Sequence, residues 1–247
     1  MRKLVFLFLL AWALACATMA FAAAAKPEKQ TLTSLGTPRT YYTFVPEKLT
    51  APASLLLLLH GSGRDGMSQI DEWKNLAEKE GIILVAPDSA NPREWSMNTD
   101  GPEFLHDVVE AVRTKNSVDG KRIYIFGHSA GAVFALYMGV MESRYFAAAG
   151  VHAGAMGEDF YPYIDLAKRK IPITIWVGTE DPYFKMPLVK ATQAELNKHG
   201  FDAQVVEMKG HDHNYYAVAK DLNPKIWEFF RNHPLDEEAN WQVYQRK

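Results

Sequence analysis

A serine between two glycines stands in the middle of the chain, directly after a run of strand-forming residues. The segment Arg-Ile-Tyr-Ile-Phe at residues 122–126 leads into Gly-His-Ser-Ala-Gly at residues 127–131, and an apolar, helix-forming segment follows. This order is typical of a tight strand-to-helix turn that exposes a serine hydroxyl at the rim of a sheet. The pattern therefore predicts that Ser129 is a nucleophile and not an ordinary turn serine.

A serine hydroxyl is a weak nucleophile near neutral pH, so it needs a base, and the base needs an acid that orients it. Two carboxylates follow the predicted strand at residues 173–177, in the turn Gly-Thr-Glu-Asp-Pro. Asp181 is the expected acid because it lies beyond the turn and Pro182 fixes the chain direction after it. Glu180 is expected to be exposed to solvent. The alternative for Asp181 is a simple Asx turn.

Two histidines, His211 and His213, lie in the loop after the last predicted strand, where the base of such a site is expected. His213 is the expected base, and His211 is the alternative. A His-x-His pair also suits zinc, but no cysteine and no third histidine cluster supports a metal site. Neither a metal nor an organic cofactor is predicted, because acyl transfer by serine and histidine requires none.

A tetrahedral intermediate needs two backbone N–H donors for its oxyanion. The amide of Ala130, directly after the serine, is the first expected donor. The second is expected from the loop His-Gly-Ser-Gly at residues 60–63, with the amide of Ser62 preferred over that of Gly63. His60 is expected to hold this loop in place.

Aromatic residues in the loops above the sheet are candidates for the substrate pocket. Trp95 and the Phe-Tyr-Pro-Tyr stretch at residues 160–163 are expected to line it, since apolar walls suit acyl or aryl esters. The alternative is that both stretches only pack on the domain surface. His128 either faces the substrate or packs inside the turn.

The elements that must position these residues alternate along the chain. Strands are predicted at residues 40–45 (an edge strand), 55–59, 82–86, 122–126, 146–151, 173–177 and 203–208. Helices are predicted at residues 68–80, 105–112, 130–141 and 185–199, with a last helix opening at Asn223 and Pro224, while residues 26–35 are expected to be an extended leader. This alternation predicts an α/β fold: a mostly parallel central sheet with helices on both faces and no separate lid domain.

Several of these segments resemble the α/β-hydrolase families that hold polyhydroxybutyrate-depolymerase-like and feruloyl-type esterases and the phospholipase/carboxylesterase group. They are the Leu-His-Gly-Ser-Gly at residues 59–63, the run at residues 118–131 and the Gly-x-x-Asp at residues 178–181. The Asp-His-Asn-Tyr-Tyr at residues 212–216 is also similar to the Asp-His-Ser-Tyr-Tyr segment of the esterase D type, whose histidine is catalytic. The resemblance covers about residues 40–231 and implies an α/β-hydrolase fold, with His213 as base.

The amino-terminal sequence and the cysteine content indicate the domain organisation and the location of the protein. Arg2 and Lys3, the apolar run at residues 4–15 and the Ala-Phe-Ala at residues 20–22 predict a cleaved signal peptide over residues 1–25, with a retained anchor or a lipoprotein cut before Cys16 as alternatives. Residues 26–247 then form a single catalytic domain. The signal peptide predicts a secreted or periplasmic protein. Because Cys16 is the only cysteine, the cleaved chain can form no disulfide, which favours bacterial export.

Charge argues against a nucleic-acid partner. The chain has 27 basic and 29 acidic residues, a net charge of −2, and removal of residues 1–25, which carry two of the basic residues and none of the acidic ones, would leave −4. A mildly acidic protein without a basic stripe is a poor binder of nucleic acid. The expected partner is a small-molecule ester, and no membrane span is expected after signal cleavage.

The sequence therefore predicts a serine esterase that hydrolyses small carboxylic esters through an acyl-enzyme. A peptidase or thioesterase that uses the same three side chains is the first alternative. The second is a catalytically inactive hydrolase fold that serves as a binding module of the cell envelope. The inactive module is disfavoured because serine, acid and histidine all occur in the required order. A site without catalytic function would be free to lose any of the three residues.

Overall fold

The computed structural model describes residues 25–241. The predicted signal peptide, residues 1–25, lies outside this range except for its last residue. Within the range, no helix is both long and apolar enough to cross a lipid bilayer.

One sheet runs through the described residues, and helices connect most of its strands. The strands are β1 (Glu28–Ser34), β2 (Thr37–Phe44), β3 (Ala53–Leu59), β4 (Ile82–Pro87), β5 (Val118–His128), β6 (Ala149–His152), β7 (Ile173–Gly178) and β8 (Ala203–Met208). The helices are α1 (Gly66–Glu80), α2 (Pro102–Arg113), α3 (Ala130–Met141), α4 (Met186–Lys198) and α5 (Tyr215–Arg231), and a 3-10 helix covers Glu158–Leu166.

The strands lie side by side in the order β1-β2-β4-β3-β5-β6-β7-β8. β1 pairs antiparallel with β2, and β2 pairs antiparallel with β4, whereas every pair from β4 to β8 is parallel. The prediction of a mostly parallel sheet is therefore confirmed. Because parallel strands share a direction, the loops that follow β3, β5, β6, β7 and β8 all meet at one rim of the sheet.

The leucine run of β3 shows how the sheet separates two apolar layers. Leu55, Leu57 and Leu59 belong to the apolar cluster that includes side chains of α2, α3 and α4, whereas Leu56 and Leu58 belong to the cluster that includes side chains of α1 and α5. Successive residues of a strand point to opposite faces, so a strand covered on both faces needs an unbroken apolar run. Burial of each leucine contributes about 2 kcal/mol. Helices on both faces, as predicted, are confirmed.

Most of the predicted elements are confirmed to within two residues. They are the strands at residues 55–59, 82–86, 173–177 and 203–208 and the helices at residues 68–80, 130–141 and 185–199. The predicted strand at residues 122–126 is the central part of β5, and β6 begins three residues later than predicted. α1 ends where predicted, because Gly81 takes the left-handed conformation at a φ of 70°.

The amino-terminal prediction was wrong. Residues 26–35 contain strand β1, and β1 rather than β2 forms the edge of the sheet. A two-residue turn joins the two strands, with Leu35 at a φ of 51° and Gly36 at a φ of 76°. Two positive φ angles suit the right-handed twist of a hairpin. The polar side chains of β1 remain mostly exposed, which an edge strand tolerates. The segment therefore lacks the apolar pattern by which a strand is recognised in a sequence.

The start of the last helix was also predicted wrongly. α5 begins at Tyr215 and runs through Pro224, so Asn223 is not a helix cap. The buried Asn223 side chain instead accepts a hydrogen bond from the Tyr215 hydroxyl at 2.8 Å and donates one to the Glu72 carbonyl of α1 at 3.1 Å. Buried apolar residues continue at helical spacing on both sides of Pro224, so packing on the sheet outweighs the backbone hydrogen bond that a proline removes.

A buried ion pair ties the loop between β4 and α2 to the antiparallel edge of the sheet. Arg39 of β2 donates to the carboxylate of Asp100, and both side chains are nearly inaccessible to solvent. The same carboxylate accepts hydrogen bonds from the amides of Ala90 and Ser96. Loss of one partner would leave an uncompensated buried charge, which costs about 3–5 kcal/mol. Asp100 therefore fixes the loop that carries Trp95.

Candidate active site

Ser129 occupies a strained turn between β5 and α3, with φ 56° and ψ −118°. A Cβ atom at position 127 would lie 2.1 Å from the carbonyl oxygen of Gly131, and one at position 131 would lie 2.3 Å from that of Leu59. Only glycine fits at either position. The turn therefore holds Ser129 at the end of β5, in a backbone conformation that non-glycine residues rarely adopt.

The structure brings together the three side chains that the sequence singled out. His213 Nε2 lies 2.9 Å from Ser129 Oγ, and His213 Nδ1 lies 2.8 Å from Asp181 Oδ2. A carboxylate can only accept, so Nδ1 carries the imidazole hydrogen and Nε2 accepts from the serine hydroxyl. These contacts form one continuous line of hydrogen bonds from acid to serine. The catalytic roles of the three residues remain a prediction.

Asp181 both contacts the histidine and forms an Asx turn, the two roles that the sequence analysis gave as alternatives. Its Oδ1 accepts hydrogen bonds from the amides of Tyr183 and Phe184, each at 2.8 Å, while Oδ2 binds His213. The Asx turn thus locks the buried carboxylate in the orientation that the histidine needs. Gly178 lets the two loops meet, because a Cβ atom there would lie 2.0 Å from the His211 carbonyl oxygen.

The geometry of the loop after β3 favours the preferred oxyanion donor over its alternative. The Gly63 amide donates to the Pro92 carbonyl at 2.7 Å, so it is already engaged. Among residues 25–241, no hydrogen-bond acceptor engages the amide of Ser62. Ala130 is the first residue of α3, where a backbone N–H has no partner inside the helix. The amides of Ser62 and Ala130 are therefore free to donate to a ligand.

His60 holds this loop, as the sequence predicted. Its Nδ1 donates to the Gly61 carbonyl at 2.9 Å, and its Nε2 accepts from the Ser89 amide at 3.1 Å. Burial lowers the pKa of His60 below its ordinary value, which keeps the ring neutral and able to make both contacts. The histidine thus joins the loop after β3 to the loop after β4.

The predicted aromatic lining does not lie against Ser129. Trp95 donates from its indole nitrogen to the His60 carbonyl at 2.9 Å and stacks on Phe134, with ring centroids 5.5 Å apart. Phe160 of the 3-10 helix stacks on Tyr137 at 4.0 Å. Neither stretch lines the cavity beside Ser129. Trp95 supports the loop of Ser62 from behind, and its proposed contact with substrate gains no support from this position.

The cavity beside Ser129 has a volume of about 270 Å³ and a wall of mixed polar and apolar character. Its lining residues are Gly61, Ser62, Arg64, His128, Ser129, Asp212, His213, Asn214 and Tyr216. The Arg64 guanidinium stacks over the Tyr216 ring, 4.6 Å from the ring centroid. Sequence reasoning missed both residues as lining, although Tyr216 lies in the segment whose resemblance pointed to His213.

A chain of three imidazoles runs beneath the cavity. His128 Nδ1 lies 3.1 Å from His152 Nδ1, and His152 Nε2 lies 3.1 Å from His211 Nε2. His211, the alternative base, therefore contacts His152 and not the serine. His152 was not singled out in the sequence, although it is the last residue of β6 and so lies at the rim where functional residues gather.

Burial keeps two of these imidazoles uncharged. Desolvation, reinforced by the neighbouring His213, lowers the pKa of His128 to about 3. Desolvation, reinforced by His128 and His211, lowers the pKa of His152 to about 2. Both rings are therefore neutral near physiological pH, when each offers one donor and one acceptor.

The His-x-His pair does not converge on a point where an ion could bind. His213 is directed to Ser129 and Asp181, whereas His211 is directed to His152. In the part of the chain that the structure describes, no group of three or more histidine, cysteine or acidic side chains could hold a metal ion.

Comparison with known families places residues 89–246 on the sequence profile of the dienelactone hydrolase family. That range includes Ser129, Asp181 and His213. A bifunctional acetylxylan esterase/xylanase of Neocallimastix patriciarum is 27% identical over 150 residues, 59% of this chain and 22% of that protein. Feruloyl esterase B of Neurospora crassa is 27% identical over 126 residues, 46% of this chain and 43% of that protein. The chain thus matches less than half the length of either curated relative.

Solved structures share the fold at low sequence identity. An S-formylglutathione hydrolase from Agrobacterium tumefaciens superposes with a TM-score of 0.69 at 16% identity, over 86% of this chain and 96% of that one. The fluorophosphonate-binding serine hydrolase F of Staphylococcus aureus superposes with a TM-score of 0.70 at 14% identity, over 84% and 99% of the two chains. These likenesses confirm the α/β-hydrolase architecture expected from the sequence.

The neutral state of His128 and His152 predicts acid-sensitive folding. Their pKa values in the folded protein lie below the ordinary value of 6.5, so the unfolded chain takes up protons first as the pH falls. The stabilisation that these two neutral histidines give the folded protein is complete above about pH 6.5 and decreases progressively below it. Between about pH 7.5 and about pH 5.5, we expect a loss of about 1 kcal/mol in the free energy of unfolding for each histidine.

Denaturant unfolding at the two pH values measures this loss. The variant His152→Phe, which keeps a ring of similar size, is expected to lose about 1 kcal/mol less than the wild type between them. An equal loss in both proteins would contradict a buried, neutral His152.

Proposed function

Because the chain belongs to the dienelactone hydrolase family, we propose that it is a serine esterase that hydrolyses small carboxylic esters. The observation that carries the proposal is the line of hydrogen bonds from Asp181 through His213 to Ser129, with contacts of 2.8 and 2.9 Å. The curated relatives named as acetylxylan and feruloyl esterases support an ester substrate over an amide or thioester.

In the proposed acylation step, His213 takes the proton of the Ser129 hydroxyl as the serine oxygen attacks the ester carbonyl. The charge that develops on the carbonyl oxygen is stabilised by the free amides of Ser62 and Ala130. The positive end of the α3 dipole lies at the same point. His213 then protonates the departing alcohol, which leaves the acyl group on Ser129.

Hydrolysis of the acyl-enzyme repeats the sequence with water as nucleophile. His213 takes a proton from the water and returns it to Ser129 Oγ as the carboxylic acid departs. Asp181 holds the ring in one tautomer throughout and stabilises its charged form. The partly open cavity, lined by short loops, suits small soluble esters.

Export is a further part of this proposal. The basic start, the apolar run and the Ala-Phe-Ala site indicate that residues 1–25 are a signal peptide, so that the enzyme acts outside the cytoplasm. Amino-terminal sequencing of the exported protein is expected to begin between Ala23 and Lys26, and a mature chain that still begins at Met1 would contradict export with cleavage.

The nucleophile is tested by covalent labelling. A fluorophosphonate probe reacts with a serine that a base activates, so the wild type is expected to be labelled and Ser129→Ala is not. Ser117→Ala is a matched control, because Ser117 is exposed and precedes β5 at the end opposite to Ser129. An unlabelled wild type would favour the inactive binding module.

The base is tested by comparing two histidine variants on nitrophenyl esters. His213→Ala is expected to lower kcat/KM by roughly 10⁴-fold or more, because the serine loses its proton acceptor. His211→Ala is expected to lose far less, since His211 contacts His152 instead. The reverse order would assign the base to His211. Preferential cleavage of aminoacyl amides in the same assay would support a peptidase.

A further inference from the structure

His128 turns one edge of its ring towards the cavity and the other towards the protein. Its Nδ1 edge faces His152, at an Nδ1-to-Nδ1 distance of 3.1 Å. The opposite edge faces Gly61, where a Cβ atom would lie 3.0 Å from His128 Cδ2 and 3.5 Å from His128 Nε2. Gly61 and His128 both line the cavity beside Ser129. Nε2 is therefore the nitrogen of His128 that a substrate can reach.

The imidazole chain admits two arrangements of its hydrogens. Each contact between two ring nitrogens needs one donor and one acceptor, and a neutral imidazole carries one of each. When all three rings are neutral, either every N–H points from His128 towards His211, or every N–H points from His211 towards His128. In the first case His128 Nε2 is an acceptor facing the cavity, and in the second it is a donor.

Two neighbouring acceptors favour the first arrangement. The His152 carbonyl oxygen lies 3.4 Å from His128 Nδ1, and a carbonyl can only accept. At the other end, Asp212 Oδ1 lies 4.0 Å from His211 Nδ1, where a carboxylate favours an N–H. Hydrogens on His128 Nδ1, His152 Nε2 and His211 Nδ1 supply one donor to each contact between rings and direct an N–H towards both of these oxygens. His128 Nε2 is then left with a lone pair.

We infer that His128 accepts a hydrogen bond from the substrate through Nε2, so that the enzyme selects esters with a hydroxyl group close to the scissile bond. The inference rests on the proposed esterase function and names the substrate class of that same site. His128 adjoins Ser129 in the chain, and its ring centroid lies 5.0 Å from that of His213, which places the bound hydroxyl beside the reacting ester.

The remaining wall of the cavity suits the same class of substrate. Arg64, Asp212 and Asn214 supply further polar groups, and Tyr216 is the one aromatic residue besides the two histidines among the lining residues. His128 acts in this account as a specificity-determining residue. His152 and His211 are positioning residues, because they act only through the tautomer of His128.

The first test compares matched esters. 2-Hydroxyethyl acetate and propyl acetate have the same number of heavy atoms, and 2-methoxyethyl acetate paired with butyl acetate adds an acceptor without a donor. After correction for hydroxide-catalysed rates, the wild type is expected to prefer the hydroxy ester by about 3- to 10-fold in kcat/KM, as one neutral hydrogen bond allows. The kcat/KM for 2-methoxyethyl acetate is expected to be no higher than that for butyl acetate.

The variant His128→Phe keeps a ring of similar size but has no acceptor. Its ratio of kcat/KM for the hydroxy ester over propyl acetate is expected to fall to about 1, because the hydrogen bond of the preceding comparison is gone. A ratio that stays at the wild-type value would overturn the inference.

The second test reads the tautomer without any substrate. Nitrogen-15 NMR of histidine-labelled wild-type protein is expected to show His128 with its hydrogen on Nδ1. In His211→Phe, which removes the last acceptor of the chain, the population with hydrogen on Nε2 is expected to rise and the preference for the hydroxy ester to fall. A merely structural effect of this substitution would leave the tautomer unchanged.

A wild type with hydrogen on His128 Nε2 would overturn the inference even if His128→Phe failed to fold. Fluorophosphonate labelling of the same samples separates the two proposals. Labelled wild-type protein with the opposite tautomer contradicts this inference alone, whereas unlabelled wild-type protein contradicts the esterase proposal.

Discussion

The hydrogen bond between Asp181 and His213 is the constraint on which the rest of the site depends. It fixes the hydrogen of the imidazole on Nδ1 and so makes Nε2 the atom that faces the serine. The carboxylate is itself held by two backbone amides, so its direction is set before the histidine meets it. The three side chains come from loops after β5, β7 and β8, which only a parallel arrangement of these strands brings to one rim.

The sheet makes this geometry possible by tolerating local strain. The φ and ψ angles of Ser129 are unfavourable for a residue with a side chain, and the turn persists because the structure around it leaves no alternative. The glycines at positions 127 and 131 permit backbone contacts that no other residue allows. The Ser129 amide donates to the His152 carbonyl at 3.1 Å. β6 thus anchors the turn and also supplies the middle ring of the imidazole chain.

The sequence contained enough to predict the sheet and the three central side chains, because each depends on a local pattern. Apolar runs closed by glycines mark the buried strands, and the turn around Ser129 has a distinctive spacing. The choice of His213 over His211 came from resemblance, since both histidines lie in one loop. β1 was missed because a polar edge strand has no apolar pattern. The start of α5 was misplaced because tertiary packing carries the helix through Pro224.

Contacts between residues that are distant in the chain could not be predicted from the sequence. Trp95 could not be placed from its position in the chain, because its direction is set by a hydrogen bond to the His60 carbonyl. His152 gave little signal, because the strand predicted at residues 146–151 ended one residue before it. The lining of the cavity, which includes Arg64 and Tyr216, also forms only where the loops after β3 and β8 meet, and it differs from the aromatic lining expected from the sequence.

In the proposed mechanism, Ser129 becomes covalently acylated during turnover. Its most direct test is acid quenching of the wild-type enzyme during hydrolysis of a nitrophenyl ester, followed by peptide mapping by mass spectrometry. We expect one acyl group, carried by the peptide that contains Ser129 and located on that residue. An acyl group on any other residue of the chain would contradict Ser129 as the nucleophile.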